Sequence, residues 1–151
     1  MTATILSGRE LSATIYSEIQ AEVAAFIAER GVTPAIVVVR AGEDPASVRY
    51  ASMIQRAFNK RGLGCEIRTL PETATQAEIE ALLRELNADP AVHGIMVQEP
   101  LPRGVSETAI HDAIAPEKDV DGVNPVNAGR LAQAEPAGRG GADDFFVPAT
   151  P

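Results

Sequence analysis

Tryptophan is absent, cysteine occurs once at Cys65, and with two Tyr and four Phe the aromatic share is 4% of the 151 residues. A single cysteine excludes an intramolecular disulfide and any cysteine-only metal site. Its expected role is that of a small, half-buried side chain opening a strand. No apolar run approaches the roughly 20 residues needed to cross a bilayer. The opening "MTATILSGRELS" also lacks the basic stretch and long apolar segment of a secretory leader. The expectation is a soluble, cytoplasmic chain with no membrane partner. Positive charge is scarce too: 13 Lys and Arg against 21 Asp and Glu leave a formal charge of -8. That balance opposes attraction to a phosphate backbone, so nucleic acid is not an expected partner. The two histidines, His93 and His111, have no second His or Cys at ligand spacing. Structural or surface roles are expected for both, and no metal site.

What is present suits one ordinary domain, with 45% hydrophobic residues to build a core. "SGRELSATIYSEIQAEVAAFIAERG" spaces Leu11, Ile15, Ile19, Val23 and Phe26 for a long helix with a glycine stop. "PAIVVVRAG" suits a strand covered on both faces. "EDPAS" offers Asp44 as N-cap and Pro45 in the first turn of a helix carrying Tyr50 and stopping near Gly62. "GCEIRTLP" reads as a shorter strand. A helix capped by Thr75, with Glu78 three residues later, follows, and then a buried strand in "VHGIMVQEPLP". The order α-β-α-β-α-β predicts an α/β fold with an open, mainly parallel sheet flanked by helices. A short helix near "SETAIHDAIAP" comes next. From Pro116 the chain turns rich in Gly, Pro, Asp and Asn, with only "NAGRLAQ" suggesting a helical turn. A core-bearing unit over 1–125 and a linker over 126–151 are expected.

In open α/β sheets ligands bind beyond the carboxyl ends of the strands, which directs attention to "RAGEDPAS", "VQEPLP" and "KDVDGVNP". Gln98 ends the third strand, where its amide can serve a cleft or bond the backbone of its own loop. Asp119 and Asp121 flank a valine, followed by Gly122. An EF-hand count from Asp119 puts Val123 fifth and Arg130 twelfth, so the calcium motif fails. A turn-stabilising pair, or a carboxylate reading ligand donors, stays open. "GRGG" at 138–141 lacks a preceding strand and a Lys-Ser/Thr ending, and is taken as a linker. In "RYASMIQRAFNKRG" Tyr50 and Ile54 are one turn apart, so a pocket lined by Tyr50 is expected to receive the side chain at 54 as well.

"GEDPASVRY", "LNADPAVHGIMVQEPLP", "IAPEKDVDGVNPVNAGRL" and "FVPATP" stand in the order and spacing of one family. The chain resembles the N-terminal, substrate-binding domain of bifunctional methylenetetrahydrofolate dehydrogenase/methenyltetrahydrofolate cyclohydrolase, from about Ile5 to Pro151. The resemblance implies one-carbon metabolism: NADP-dependent oxidation of 5,10-methylenetetrahydrofolate, then hydrolysis of the methenyl product to 10-formyltetrahydrofolate, in one cleft and usually in a homodimer. It implies that Tyr50 stacks on the folate, that Gln98 supports a catalytic lysine and that Asp121 grips the pterin's donors. Pro100, Leu101 and Gly122 are substrate-site neighbours by the same resemblance. Each role suits its side chain: an aromatic face for a flat heterocycle, a carboxylate for paired N–H donors.

The chain departs from the family pattern where lysine is expected one turn after the tyrosine, because Ile54 stands there. Lysine can polarise the reacting centre and exchange protons; isoleucine can do neither. Lys60 and Arg56 lie about 280° and 240° round the helix from Tyr50, and Arg61 about 16 Å along it, so none is a natural replacement. Arg49, Arg56, Lys60 and Arg61 form a basic group able to meet a glutamate tail, or simply a solvated face. The expectation is a dehydrogenase with an impaired cyclohydrolase step, or alternatively a non-catalytic paralogue that binds a folate-like ligand. No G-x-G-x-x-G follows a strand, so no dinucleotide site is expected in this chain, and a fragment of a longer protein is expected over a free-standing domain. Ala149 stands where the family often has cysteine.

Overall fold

A computed structural model of the chain describes residues 7–133 and 145–148. Its elements run α1 Gly8–Arg30, β1 Ala35–Ala41, α2 Pro45–Asn59, β2 Gly64–Leu70, α3 Gln76–Ala88, β3 Gly94–Val97, α4 Glu107–Ala113, a 3-10 turn Pro116–Lys118, and α5 Pro125–Gln133. The three strands form a parallel sheet in the order β2-β1-β3, with Ile36 paired to Cys65 on one side and Gly94 on the other. The α/β architecture expected from the alternating pattern is present. "GRGG" at 138–141 and Ala149 lie outside the described residues.

Strand β1 is central because successive residues bury on opposite faces. Ile36 and Val38 pack with Ala51 of α2, while Val37 and Val39 join Ile79, Leu82, Leu83 and Leu86 of α3 and Ile110 of α4. A parallel strand sandwiched between helix layers needs an unbroken apolar run, and "AIVVV" supplies it. Local signals fix the helix starts. The Asp44 carboxylate accepts from the Ser47 N–H at 2.8 Å with Pro45 behind it. Thr75 and Glu78 close a reciprocal capping box at α3.

Helix α1 forms and stops as its sequence dictates, capped by Ser7 and ended at Gly31 with φ of 68°. Its apolar stripe is not buried, however: Leu11, Ile15 and Phe26 are all exposed. Cys65 lies half-buried in β2, and burial pushes its thiol pKa up, which keeps it protonated and unreactive. His93 has a structural role, its Nδ1 accepting the Ala35 N–H at 3.2 Å beside the sheet.

Between Pro116 and Gln133 the chain is more ordered than its composition implied. Asp119 makes an isolated parallel bridge to Ile95, placing this segment beside β3. Gly94 permits the approach, since a Cβ there would lie 2.4 Å from the Val120 side chain. Lys118 donates to the carbonyls of Leu86, Asn87 and Asp89 at 2.7 to 3.0 Å, closing the C-terminal end of α3. Nothing local to Lys118 signals that role.

Candidate functional site

The carboxyl ends of the strands carry the polar loops singled out by the sequence. Gln98 follows β3 directly, its backbone N–H donating to Val39 O at 2.8 Å and thereby extending the sheet by one residue. The residue is 8% exposed, yet its side-chain amide makes no hydrogen bond among the described residues. The alternative in which that amide ties down its own loop is not what the structure has. Glu99 and Pro100 are joined by a cis peptide bond, and Leu101 packs against the core while Pro100 stays exposed.

The two aspartates of "KDVDG" divide into distinct roles. Asp119 is fully buried and saturated: it accepts from the N–H groups of Val123 at 3.2 Å and Asn124 at 2.8 Å, and from Asn127 Nδ2 at 2.8 Å. Asn124 and Asn127 reach onward, Asn124 Nδ2 to the Ile114 carbonyl and Asn127 Nδ2 to that of Pro116. These are the residues that sequence reasoning missed, although four amide or acid side chains within nine positions of "KDVDGVNPVN" were a usable signal. Asp119 is the turn-stabilising member of the pair.

Asp121 makes no side-chain hydrogen bond among the described residues. Its pKa is raised from the ordinary aspartate value, first because burial removes water and then because Asp119 is negative; His111 opposes the shift. Two N–H donors from a ligand would relieve both costs. Gly122 holds the turn at φ of 70° and lies against the chain at Pro148, whose N would be 2.5 Å from an added Cβ. Glycine at this position permits that close backbone approach.

Tyr50 is 50% exposed on α2 and lines a cavity of about 570 Å³ with Pro45, Ala46, Arg49 and Met53. Ile54 is not among the lining residues. It is half-buried and packs against Ile36, Val38 and Ala51. Ile54 thus faces the sheet beside this cavity, and helix geometry gives the reason. At about 100° per residue, Met53 lies about 60° to one side of Tyr50, and Ile54 about 40° to the other. Tyr50 stands on the border between an open face and a core face.

A second cavity of about 420 Å³ lies at the strand ends, lined by Ala41 to Asp44, Glu72, and Pro100 to Arg103. It includes Pro100 and Leu101 but neither Gln98 nor Asp121. Three of its residues are acidic: Glu43, Asp44 and Glu72. The basic group of α2 does not act as a unit either. The Arg61 guanidinium stacks 3.5 Å from the centre of the Tyr16 ring and donates to Ala57 O, whereas Arg49 stands beside Tyr50. Among the described residues no group of three His, Cys, Asp or Glu is placed to hold a metal ion, and no helix is long and apolar enough to cross a membrane.

Comparison with known proteins matches residues 6–121 to the family model for the tetrahydrofolate dehydrogenase/cyclohydrolase catalytic domain. The bifunctional protein FolD of Rhodopseudomonas palustris (strain HaA2) is 50% identical over 132 residues, covering 87% of this chain and 45% of that protein. The crystal structure of the bifunctional FolD methylenetetrahydrofolate dehydrogenase/cyclohydrolase from Campylobacter jejuni superposes with a TM-score of 0.86 at 35% identity, covering 96% of this chain and 49% of the other. That of the Trypanosoma brucei methylenetetrahydrofolate dehydrogenase-cyclohydrolase, complexed with NADP cofactor and inhibitor, has a TM-score of 0.84 at 31% identity, covering 98% and 48%. The chain spans about half the length of the curated relatives it matches.

Proposed function

The chain belongs to the tetrahydrofolate dehydrogenase/cyclohydrolase family, and from that premise we propose that it is the folate-binding half of a methylenetetrahydrofolate dehydrogenase whose cyclohydrolase step is impaired. Tyr50 offers an aromatic face, Gln98 an amide with no protein partner among the described residues, and Asp121 a carboxylate in the same condition. The single observation carrying the reading is the contrast between saturated Asp119 and unsatisfied Asp121, two residues apart in one ordered turn. A fold that spends three donors on one carboxylate and leaves its neighbour costly to ionise is arranged for an external donor. The body ending near 125 is assigned to folate, and the stretch from 126 to the connection with the rest of a family-length protein.

NADP, when bound, supplies the hydride acceptor. The residues here do not fit it: the turn after β1, where an open α/β fold would receive a phosphate, is lined by three acids, Glu43, Asp44 and Glu72, against one cation, Arg103, and Gly42 backs onto the Glu72 side chain. We assign the cofactor to the part of the relatives that this chain does not span.

Hydrolysis adds water to the methenyl carbon and must release one proton as the 10-formyl product forms. The proton needs an acceptor beside that carbon. Ile54 has none, and its neighbours Ile36, Val38 and Ala51 carry none. A lysine at the same position would lay its stem along those apolar side chains and extend its amine past them toward Tyr50. Apolar surroundings would also lower that amine's pKa, as a base requires. Hydride removal from the methylene carbon needs alignment rather than a protein base, so the oxidation is spared.

The test is methenyltetrahydrofolate hydrolysis, followed by loss of absorbance, for the native chain and for Ile54→Lys, each first shown by calorimetry to bind 5-formyltetrahydrofolate. An inactive native chain with an active variant supports the proposal. Hydrolysis by the native chain overturns the impairment. Binding without hydrolysis in either protein favours the non-catalytic paralogue.

A further inference from the structure

The cavity beside Tyr50 is walled by one face of α2, and its lining of Pro45, Ala46, Arg49, Tyr50 and Met53 contains one cation and no acid. In a chain of formal charge -8 that is a local exception. Arg49 is exposed and makes no ion pair or hydrogen bond among the described residues. The nearest acids in sequence are already engaged: the Asp44 carboxylate accepts the Ser47 N–H, and Glu43 pairs with Arg40 at 3.3 Å. Met53 is 54% exposed and Tyr50 50% exposed, so a thioether and a phenol ring flank the cavity without covering one another from solvent. Such a lining suits a flat apolar body carrying a negative group at one end.

We propose that Arg49 is a specificity residue that reads a carboxylate on an aromatic ligand held between Tyr50 and Met53. The proposal rests on the folate reading above, and there the carboxylate is the glutamate that ends the substrate. Arg49 lies about 100° round the helix from Tyr50, on the side of Met53 and away from Ile54. The guanidinium therefore meets the part of the ligand that projects out of the cleft, while Asp121 and Gln98 serve the other end. Its planar fork matches a carboxylate with two parallel N–H bonds, which a lysine cannot reproduce.

The test uses two probes that share a ring and an amide and differ in charge: 4-aminobenzoylglutamate and 4-aminobenzamide, titrated into the chain and followed by NMR shifts of α2. At low salt the glutamate compound is expected to bind about five-fold tighter, the worth of one partly solvated ion pair. Arg49→Gln should remove that preference, high salt should shrink it, and Met53→Ala should weaken both probes equally. Equal binding of the two probes, no binding of either, or a preference that survives Arg49→Gln overturns the proposal. 5-Formyltetrahydrofolate titrated in parallel separates the two claims. If it binds while the probes show no carboxylate preference, only the Arg49 role fails. If it does not bind while the preference holds, the folate reading fails and Arg49 still reads aromatic carboxylates.

Discussion

Replacing Asp119 should unfold the site before it touches any ligand. Its carboxylate is fully buried with no cation bonded to it among the described residues, so three donors take the place of water: Val123 N, Asn124 N and Asn127 Nδ2. In Asp119→Ala the two backbone N–H groups lose their acceptor inside the fold, and Asn127 Nδ2 keeps only the Pro116 carbonyl. At about 1–3 kcal/mol for each stranded donor, with some relief from entering water, the loss comes to about 3–5 kcal/mol. Against a typical stability of about 5–15 kcal/mol that is a large share, and for a chain of this size it lowers Tm by about 10–15 °C. Asp119→Asn keeps one acceptor oxygen and removes the like charge beside Asp121, so its cost should be smaller, about 2 kcal/mol. Urea unfolding of the three proteins gives the comparison directly. A loss below about 1 kcal/mol in Asp119→Ala, with an unchanged dependence on urea, would refute the claim that this carboxylate organises the turn. 5-Formyltetrahydrofolate affinity, measured well below the variant's Tm, should also fall, because the same turn carries Asp121.

Asp121 should behave in the opposite sense. Burial and Asp119 raise its pKa in the folded chain, so its contribution to stability is fully present below the unfolded value of 3.8 and is lost as pH rises through the higher folded value. Asp121→Asn should therefore stabilise the chain at neutral pH, the gain fading as the pH falls toward 3.8, in urea midpoints measured across that range; a gain independent of pH would contradict the assignment. The same variant should lose folate affinity, separating a ligand-facing carboxylate from a structural one. Gly122→Ala faces two costs, a φ of 70° and a Cβ 2.5 Å from Pro148 N. Together these should cost about 2–4 kcal/mol in thermal or urea unfolding, and an unchanged midpoint would show that the turn does not lie against Pro148.

The features legible in the sequence are those decided within a few residues. Asp44 with Pro45, and Thr75 with Glu78, complete their caps inside one turn, so each start signal was visible in the text of the chain. The apolar run of β1 gave its two buried faces for a similar reason, because alternation along a strand sends neighbours to opposite layers whatever covers them. Lys118 on the α3 carbonyls, His93 on Ala35 and Gly122 under Pro148 were not legible, since in each case the partner is far along the chain and only the fold brings it near.

Position 54 shows where a local rule falls short. Residues one turn apart do share a helix face, but a face has width, and Tyr50 stands at its edge. A helix lying on a sheet presents one arc to the core and another to solvent, and the border between them is set by the sheet, not by the helix. Ile54 falls on the core side of that border and Met53 on the open side. An isoleucine there does more than omit an amine: it extends the apolar layer formed by Ile36, Val38 and Ala51. Restoring lysine therefore exchanges apolar packing for a reactive amine. Ile54→Lys should lose about 1–2 kcal/mol of stability even as it gains hydrolysis, the mark of a position where packing and chemistry compete.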